Sequence, residues 1–255
     1  MSTSFIGIIP ARYASTRFPG KPLADLGGIT VIERVYRRAS AALTEVAVAT
    51  DDSRIFEAVE AFGGKAVMTS PDHRSGTDRC REAYANLESK ADVVINIQGD
   101  EPFIDPSQLK SLAECFDDSG VDIATLVRPF PADMPYETLA NPNTPKVAVS
   151  PSMEALLFSR SVIPFIRGAA QNEWPSRHQF YTHIGLYAYR AAALDAITRL
   201  PQSPLELAES LEQLRWLENG YRIKVAVSDC PTIGIDTPAD LEAARKFLAE
   251  KEGRV

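Results

Sequence analysis

Three short apolar runs, each followed by a polar turn and a helical stripe, constrain this chain more than any other feature. Phe5 to Ile9, Glu45 to Thr50 (E-V-A-V-A-T) and Asp92 to Ile97 (D-V-V-I-N-I) are short and mostly apolar, so they read as buried strands. After the first, Ile29 to Ala41 carries Ile32, Val35, Tyr36 and Ala39 at helical spacing. After the second, Asp51-Asp52-Ser53 can cap a helix whose stripe is Ile55, Phe56, Val59 and Phe62, and Gly63-Gly64 ends it. Lys65 to Met68 reads as a short strand, Thr69 to Asp78 as a polar loop, and the next helix turns Cys80, Ala83, Tyr84 and Leu87 inward. Strands alternating with helices specify a parallel sheet covered on both faces, the α/β class.

The loop after the first strand carries the strongest chemical signal. Ile8 to Leu23 reads I-I-P-A-R-Y-A-S-T-R-F-P-G-K-P-L, with Arg12, Arg17 and Lys21 inside ten residues and no acid before Asp25. Pro10, Pro19, Gly20 and Pro22 exclude regular structure, so the cations ride a stiff loop at a strand's C-terminal end, where open α/β sheets bind ligands. The whole chain has a formal net charge of −7. Positive charge gathered in one loop of an acidic protein focuses the field on a single anion, and guanidinium forks, an ammonium and free backbone N–H groups suit a polyphosphate. This is not a Walker A loop, since Pro22 follows Gly20-Lys21 and Ser15 stands where the first Gly belongs. The absence of G-x-G-x-x-G at this turn argues against a dinucleotide oxidoreductase.

Length and composition set wide bounds. A chain of 255 residues supports one α/β domain or a domain with a subdomain. The acidic balance argues against a nucleic-acid partner. No apolar run nears the roughly 20 residues of a membrane span, and the N-terminus has no secretory pattern, so a cytoplasmic protein without a membrane partner is expected. Cys80, Cys115 and Cys230 are scattered, form no C-x-x-C pair and read as small core residues.

The second half is less regular. Asp122 to Val127 reads as a strand, and Pro129, Pro131, Pro135, Pro142 and Pro145 then preclude a continuous element. An excursion from the main sheet is expected, with strands near Lys146 to Val149 and Ala155 to Ser159. In Tyr181 to Tyr189, Ile184, Leu186 and Ala188 alternate with His183, Gly185, Tyr187 and Tyr189, which places His183 and Tyr187 away from the core side. Leu205 to Asn219 reads as one helix, Arg222 to Ser228 as a strand and Pro238 to Lys251 as a final helix. On that first helix Glu206, Glu209 and Gln213 share a stripe, and Glu212 lies about 100° from Gln213.

Two carboxylates stand at strand exits. Gln98-Gly99-Asp100-Glu101-Pro102 follows the strand ending at Ile97, so Asp100 falls beside the cationic loop if the sheet is parallel. In Gly234-Ile235-Asp236-Thr237-Pro238-Ala239-Asp240, Thr237 is an N-cap candidate with Pro238 at N1 and Asp240 as the acidic member of a capping box. Asp236 is then either free to point elsewhere or is itself the cap. A triphosphate travels with Mg²⁺, which takes one or two carboxylates plus phosphate oxygens and water. Asp100 alone would more often be a turn residue. Thr50-Asp51 and Arg74-Ser75-Gly76-Thr77-Asp78 lie on the same edge and offer groups that could read a base.

Taken together, I-P-A-R-Y-A-S-T-R-F-P-G-K-P-L, V-A-T-D-D, S-G-T-D-R, N-I-Q-G-D-E-P, L-F-S-R, H-I-G-L-Y-A-Y, L-E-Q-L-R and G-I-D-T-P closely resemble the 3-deoxy-manno-octulosonate cytidylyltransferases, or CMP-KDO synthetases, in order along nearly the whole chain. The resemblance implies a Rossmann-like three-layer α/β/α nucleotidyltransferase with a mixed, mostly parallel sheet. It implies a single domain over 1–255, with a dimerising, sugar-binding excursion at about 128–218 and a homodimeric assembly. The implied substrates are CTP and KDO, with Mg²⁺ as cofactor and lipopolysaccharide or capsule as destination. It carries Arg12 and Lys21 over as the triphosphate clamp, with Ser15 and Arg17 in support. Pro10, Ala11, Asp51, Ser75, Gly76 and Gln98 become the cytidine-reading surface, and Asp100 and Asp236 the Mg²⁺ ligands. Arg160, His183, Tyr187, Glu212 and Gln213 become the sugar-acid pocket. Transfer to another sugar acid, such as amino-KDO or a nonulosonate, is the neighbouring expectation, and a catalytically silent CTP-binding regulator the expectation from another class.

Overall fold

The first apolar run forms strand β1 (Phe5–Ala11) in the computed structural model, which describes residues 3–231 and 233–251. It is followed by α1 (Val31–Ser40), β2 (Val46–Thr50), α2 (Ser53–Ala61), β3 (Ala66–Met68), α3 (Gly76–Asn86), β4 (Val93–Asn96) and α4 (Pro106–Glu114). Each buried run is a strand because it offers unbroken apolar surface, and β2 and β4 are buried at every position. The pairings β1–β2, β1–β4 and β2–β3 are all parallel, giving the order β3-β2-β1-β4. All four strand exits therefore share one edge, where ligands collect in such sheets.

Side-chain oxygens start the helices at that edge. Thr30 Oγ1 accepts from the Glu33 amide at 3.2 Å, the Asp52 carboxylate from the Arg54 amide at 3.0 Å, and Ser75 Oγ from the Asp78 amide at 3.1 Å. The polar loop expected over Thr69 to Asp78 consequently ends earlier, at Ser75.

The chain divides into two compact units, one running to Lys110 and resuming at Cys230, the other spanning Ser111–Asp229. The second unit holds β5 (Ile123–Pro129), α5 (Tyr136–Leu139), β6 (Lys146–Val149), β7 (Ala155–Ser159), α6 (Trp174–Arg177), β8 (Tyr181–Arg190), α7 (Ala191–Ile197), α8 (Pro204–Glu209), α9 (Gln213–Glu218) and β9 (Ile223–Val227). In it β5 runs parallel to β9 and antiparallel to β8, and β6 is antiparallel to β7 and β8. The proline-rich stretch before β6 is held by Lys146, whose fully buried ammonium donates to the carbonyls of Asn141 and Thr144 at 3.0 and 2.9 Å. The last helix, α10 (Pro238–Lys251), returns to the first unit, where Leu241, Ala244 and Leu248 join Leu26, Val31 and Ile235 in one core cluster.

Three expectations need correction. The helix read over Leu205 to Asn219 is two, because Ser210 adopts φ 50, a left-handed conformation that ends α8 before α9 begins. Strand β8 does not have one core side. Thr125 faces Tyr187 while Leu126 faces Ile184, so a bulge takes up Gly185 and Leu186 and breaks the strict alternation. Tyr187 and Tyr189 lie on a second buried face, each edge-on to Trp216 at 5.1 and 5.5 Å. Of the three cysteines, Cys80 is core as expected, whereas Cys115 and Cys230 are only half-buried.

Candidate active site

The loop leaving β1 is shaped by its glycine and prolines. Gly20 sits at φ 72 against the Tyr13 ring and donates to the Tyr13 carbonyl at 2.9 Å, folding the loop back on itself. Across the ring the Arg54 guanidinium stacks at 3.3 Å, held in place by Asp52 at 2.9 and 2.6 Å. Ser15 Oγ accepts from the Phe18 amide at 3.3 Å. The turn ends in a single 3₁₀ turn, Lys21–Leu23, with Pro22 inside it, which aims Lys21 inward.

Lys21 meets both carboxylates. Its ammonium lies 2.8 Å from Asp100 Oδ2 and 3.4 Å from Asp236 Oδ1, and Arg17 approaches Asp236 Oδ2 at 3.3 Å. Asp100 is placed by the turn after β4. A Cβ on Gly99 would come within 2.7 Å of the Pro10 carbonyl oxygen, so only glycine lets this turn close on β1. The Ile235 amide donates to the Asp100 carbonyl at 2.9 Å and brings the third loop to the same place. Of the two readings of Asp236, one holds. Thr237 Oγ1 caps the Asp240 amide at 3.2 Å, Asp240 Oδ2 accepts from the Thr237 amide at 2.8 Å, and Asp236 is left to face the cations.

These groups line a cleft of about 280 Å³ in the first unit. Arg12 and Ser15 stand on its cationic side, Asp100 and Asp236 on its acidic side. Pro10, Ala11, Ser75, Gly76 and Gln98 complete the wall from the other strand exits. Gly76 packs so closely on Pro10 that an added Cβ would sit 3.3 Å from its ring. Asp100 and Asp236 are the two carboxylates in the lining, and among the described residues no group of three or more His, Cys, Asp or Glu could hold a metal by itself. Two carboxylates are a donor set that suits a hard divalent ion when phosphate oxygens and water supply its other ligands, and here both carboxylates are paired with Lys21 or Arg17.

Asp51 does not line the cleft. Its carboxylate instead accepts from Arg79 at 2.9 Å. Arg79 and His73 do line it, and the sequence reading singled out neither. Arg79 falls four residues after Ser75, so helical spacing turns it back over the Ser75 turn. That spacing is the signal the sequence offers for Arg79.

The other candidates lie in the second unit. Arg160 is fixed by carbonyls, donating to Glu209 O at 2.6 Å and Pro142 O at 2.9 Å, while its amide donates to the Glu209 carboxylate at 2.8 Å. Glu209, a residue the motif reading passed over, also accepts from Ser159 Oγ at 2.6 Å. Glu212 pairs with Arg215 at 2.9 Å. Gln213 is buried, and its side-chain nitrogen has no hydrogen-bond partner among the described residues. The break at Ser210 separates Glu206 and Glu209 from Gln213, so the stripe expected to carry all three does not form.

The His183 and Tyr187 rings meet at 5.2 Å, tilted by 53°, with Phe158 edge-on to His183 at 5.1 Å. His183 Nε2 lies 3.1 Å from Thr125 Oγ1. Desolvation lowers the pKa of the half-buried ring to about 3, and burial with the Glu212 charge raises the Tyr187 hydroxyl well above its ordinary value. An unfolded histidine takes a proton near pH 6.5, whereas the folded one stays neutral to about 3. The unfolded state therefore binds more protons in that window, and stability falls as pH drops from about 6.5 toward 3, by at most about 1.4 kcal/mol per unit. Melting temperatures followed from pH 7.5 to 5 should decline less steeply for His183→Asn than for the parent.

Comparison with known proteins agrees with the motifs. The profile of the cytidylyltransferase family matches residues 6–223. The chain is 62% identical over 247 residues to the 3-deoxy-manno-octulosonate cytidylyltransferase of Bacteroides thetaiotaomicron, covering 97% of this chain and 99% of that one. It is 50% identical to the enzyme of the same name from a Bradyrhizobium species, over 95% and 96% of the two chains. A solved CMP:2-keto-3-deoxy-manno-octonic acid synthetase, in complex with CTP, superposes with a TM-score of 0.89 at 43% identity, over 98% of this chain and all of that one. The chain, an α/β nucleotidyltransferase with a mixed sheet, belongs to the cytidylyltransferase family, among the 3-deoxy-manno-octulosonate cytidylyltransferases.

Proposed function

We propose that this enzyme transfers CMP from CTP to the anomeric 2-hydroxyl of KDO, giving CMP-KDO and pyrophosphate. The observation that carries this reading is the single cleft in which Lys21 faces both Asp100 and Asp236, in a chain matched end to end by enzymes named for that reaction. The hydroxyl oxygen forms a bond to the α-phosphorus, the bond from that phosphorus to the bridging oxygen breaks, pyrophosphate departs in line and the hydroxyl proton passes to solvent. A carboxylated sugar and a triphosphate repel in water, so catalysis here is positioning and charge neutralisation. Arg12, Arg17, Ser15 and Lys21 hold the triphosphate, and Arg12 and Lys21 stabilise charge growing on the leaving pyrophosphate. Pro10, Ala11, Gln98, Ser75 and Gly76 bound the base. Asp100 and Asp236 would hold Mg²⁺, which would lower the cost of deprotonating the hydroxyl and neutralise phosphate charge. Arg160, His183, Tyr187, Glu212 and Gln213 form the sugar-acid pocket. A neutral His183 and the unpartnered Gln213 amide suit hydroxyl recognition better than charge pairing.

We further assign a homodimer built through the second unit, where Leu156 and Phe165 stand 63% and 72% exposed. Among the described residues no helix is long and apolar enough to cross a membrane. A cytoplasmic location follows from the use of CTP, with the product feeding lipopolysaccharide or capsule.

Pyrophosphate release measured with CTP, Mg²⁺ and a panel of sugar acids tests the reading. Release with KDO above all others is the expected result. Release with amino-KDO or a nonulosonate alone would reassign the acceptor, and CTP binding without release would leave a regulator.

A further inference from the structure

The loop that brings Ser75 and Gly76 to the cleft is pinned by two charged residues one turn apart on α3, Arg79 in the cleft wall and Glu82. Arg79, 4% exposed, donates from one terminal nitrogen to Thr69 Oγ1 at 2.6 Å and Ser70 O at 3.3 Å, and from the other to Asp51 Oδ2 at 2.9 Å. Glu82 accepts from the Ser70 amide at 3.2 and 3.0 Å and also holds the His73 ring. One guanidinium thus ties the exit of β2 to the exit of β3 from the first turn of the helix that Ser75 caps. A planar fork with fixed donor directions can do this, and a lysine's single ammonium cannot. Enclosing an ion pair this deeply brings little net stability, since lost hydration offsets the attraction, but it does set geometry.

We propose that Arg79 is a positioning residue for nucleotide selection: with Asp51, Thr69 and Glu82 it sets the loop from Thr69 to Ser75 at the distance where the base is gripped, without touching the phosphates. This rests on the functional reading above. Asp51 accordingly acts on the nucleotide through Arg79 rather than by direct contact. The phosphate-holding groups sit on the separate loop after β1, so the two ends of CTP are gripped by parts that can be perturbed independently.

Calorimetric titration of the full-length enzyme with CTP and with tripolyphosphate tests it, alongside steady-state kinetics. In Arg79→Lys a shift of about an ångström in the loop should raise the Kd and KM for CTP about tenfold. kcat at saturating CTP and the Kd for tripolyphosphate should stay within about threefold, because the triphosphate cradle is untouched. Thr69→Val, which keeps shape and removes the acceptor for Arg79 together with the donor to the Thr50 carbonyl at 3.1 Å, should show the same split at roughly threefold and covers the case where Arg79→Lys fails to fold. Equal CTP affinity in the parent and a folded Arg79→Lys would overturn the positioning role alone. Matching losses for CTP and tripolyphosphate would mean general loosening and would overturn it too. A parent protein that binds tripolyphosphate but shows no preference for CTP would overturn the functional reading along with it.

Discussion

Asp100→Asn should lower turnover with CTP, Mg²⁺ and KDO by roughly a thousandfold, the loss of about 4 kcal/mol of transition-state stabilisation. The substitution keeps the shape of the side chain, its turn and its carbonyl, which accepts from the Ile235 amide, while removing the charge. Asp100 is about one-third exposed and its pair with Lys21 is partly solvated, so folding stability should change little. Binding of CTP without divalent metal should hold or tighten, because one negative charge facing the triphosphate is gone. That opposition of signs, weaker catalysis with undiminished metal-free nucleotide binding, separates a metal ligand from a general structural residue. Turnover within a few-fold of the parent at saturating Mg²⁺ would exclude Asp100 from the metal site.

How much of this could be read from the chain alone depended on how local each cause is. The first unit was legible because strand runs, caps and the P-G-K-P turn each act over a few neighbouring residues. Thr237 and Asp240 announced a reciprocal cap, so the freedom of Asp236 could be stated as one of two outcomes before its partners were known. The second unit was harder for two physical reasons. Ser210 broke a helix through a left-handed backbone state that serine rarely adopts, and no composition signal marks it. In β8 the bulge at Gly185 and Leu186 shifted the face on which Tyr187 falls, and Trp216, distant in sequence, buried that face. Asp51 and Arg79 show the same limit inside the cleft, since their ion pair joins residues 28 apart. Family resemblance named Asp51 as a contact for the base, whereas the geometry makes it an anchor.

Lys21→Ala should split two measurements in opposite directions. The Lys21 side chain is 14% exposed and its ammonium neutralises Asp100 and Asp236 together, with Arg17 reaching only Asp236. Removing it leaves two carboxylates close together with less compensation, which raises their attraction for a divalent cation. Mn²⁺ titrated without nucleotide, followed by electron paramagnetic resonance, should therefore bind more tightly than in the parent. Turnover should nevertheless fall by about two to three orders of magnitude, because a preorganised donor to the leaving pyrophosphate is lost in a site where charge develops. The KM for KDO should move far less than kcat, since the proposed role of Lys21 is on the leaving pyrophosphate and not on the sugar acid. If instead KDO affinity collapses while kcat survives, Lys21 grips the sugar carboxylate. If Mn²⁺ binding weakens, the ammonium is not competing for the acidic pair, and Asp100 and Asp236 would then have to be held apart for some purpose other than metal.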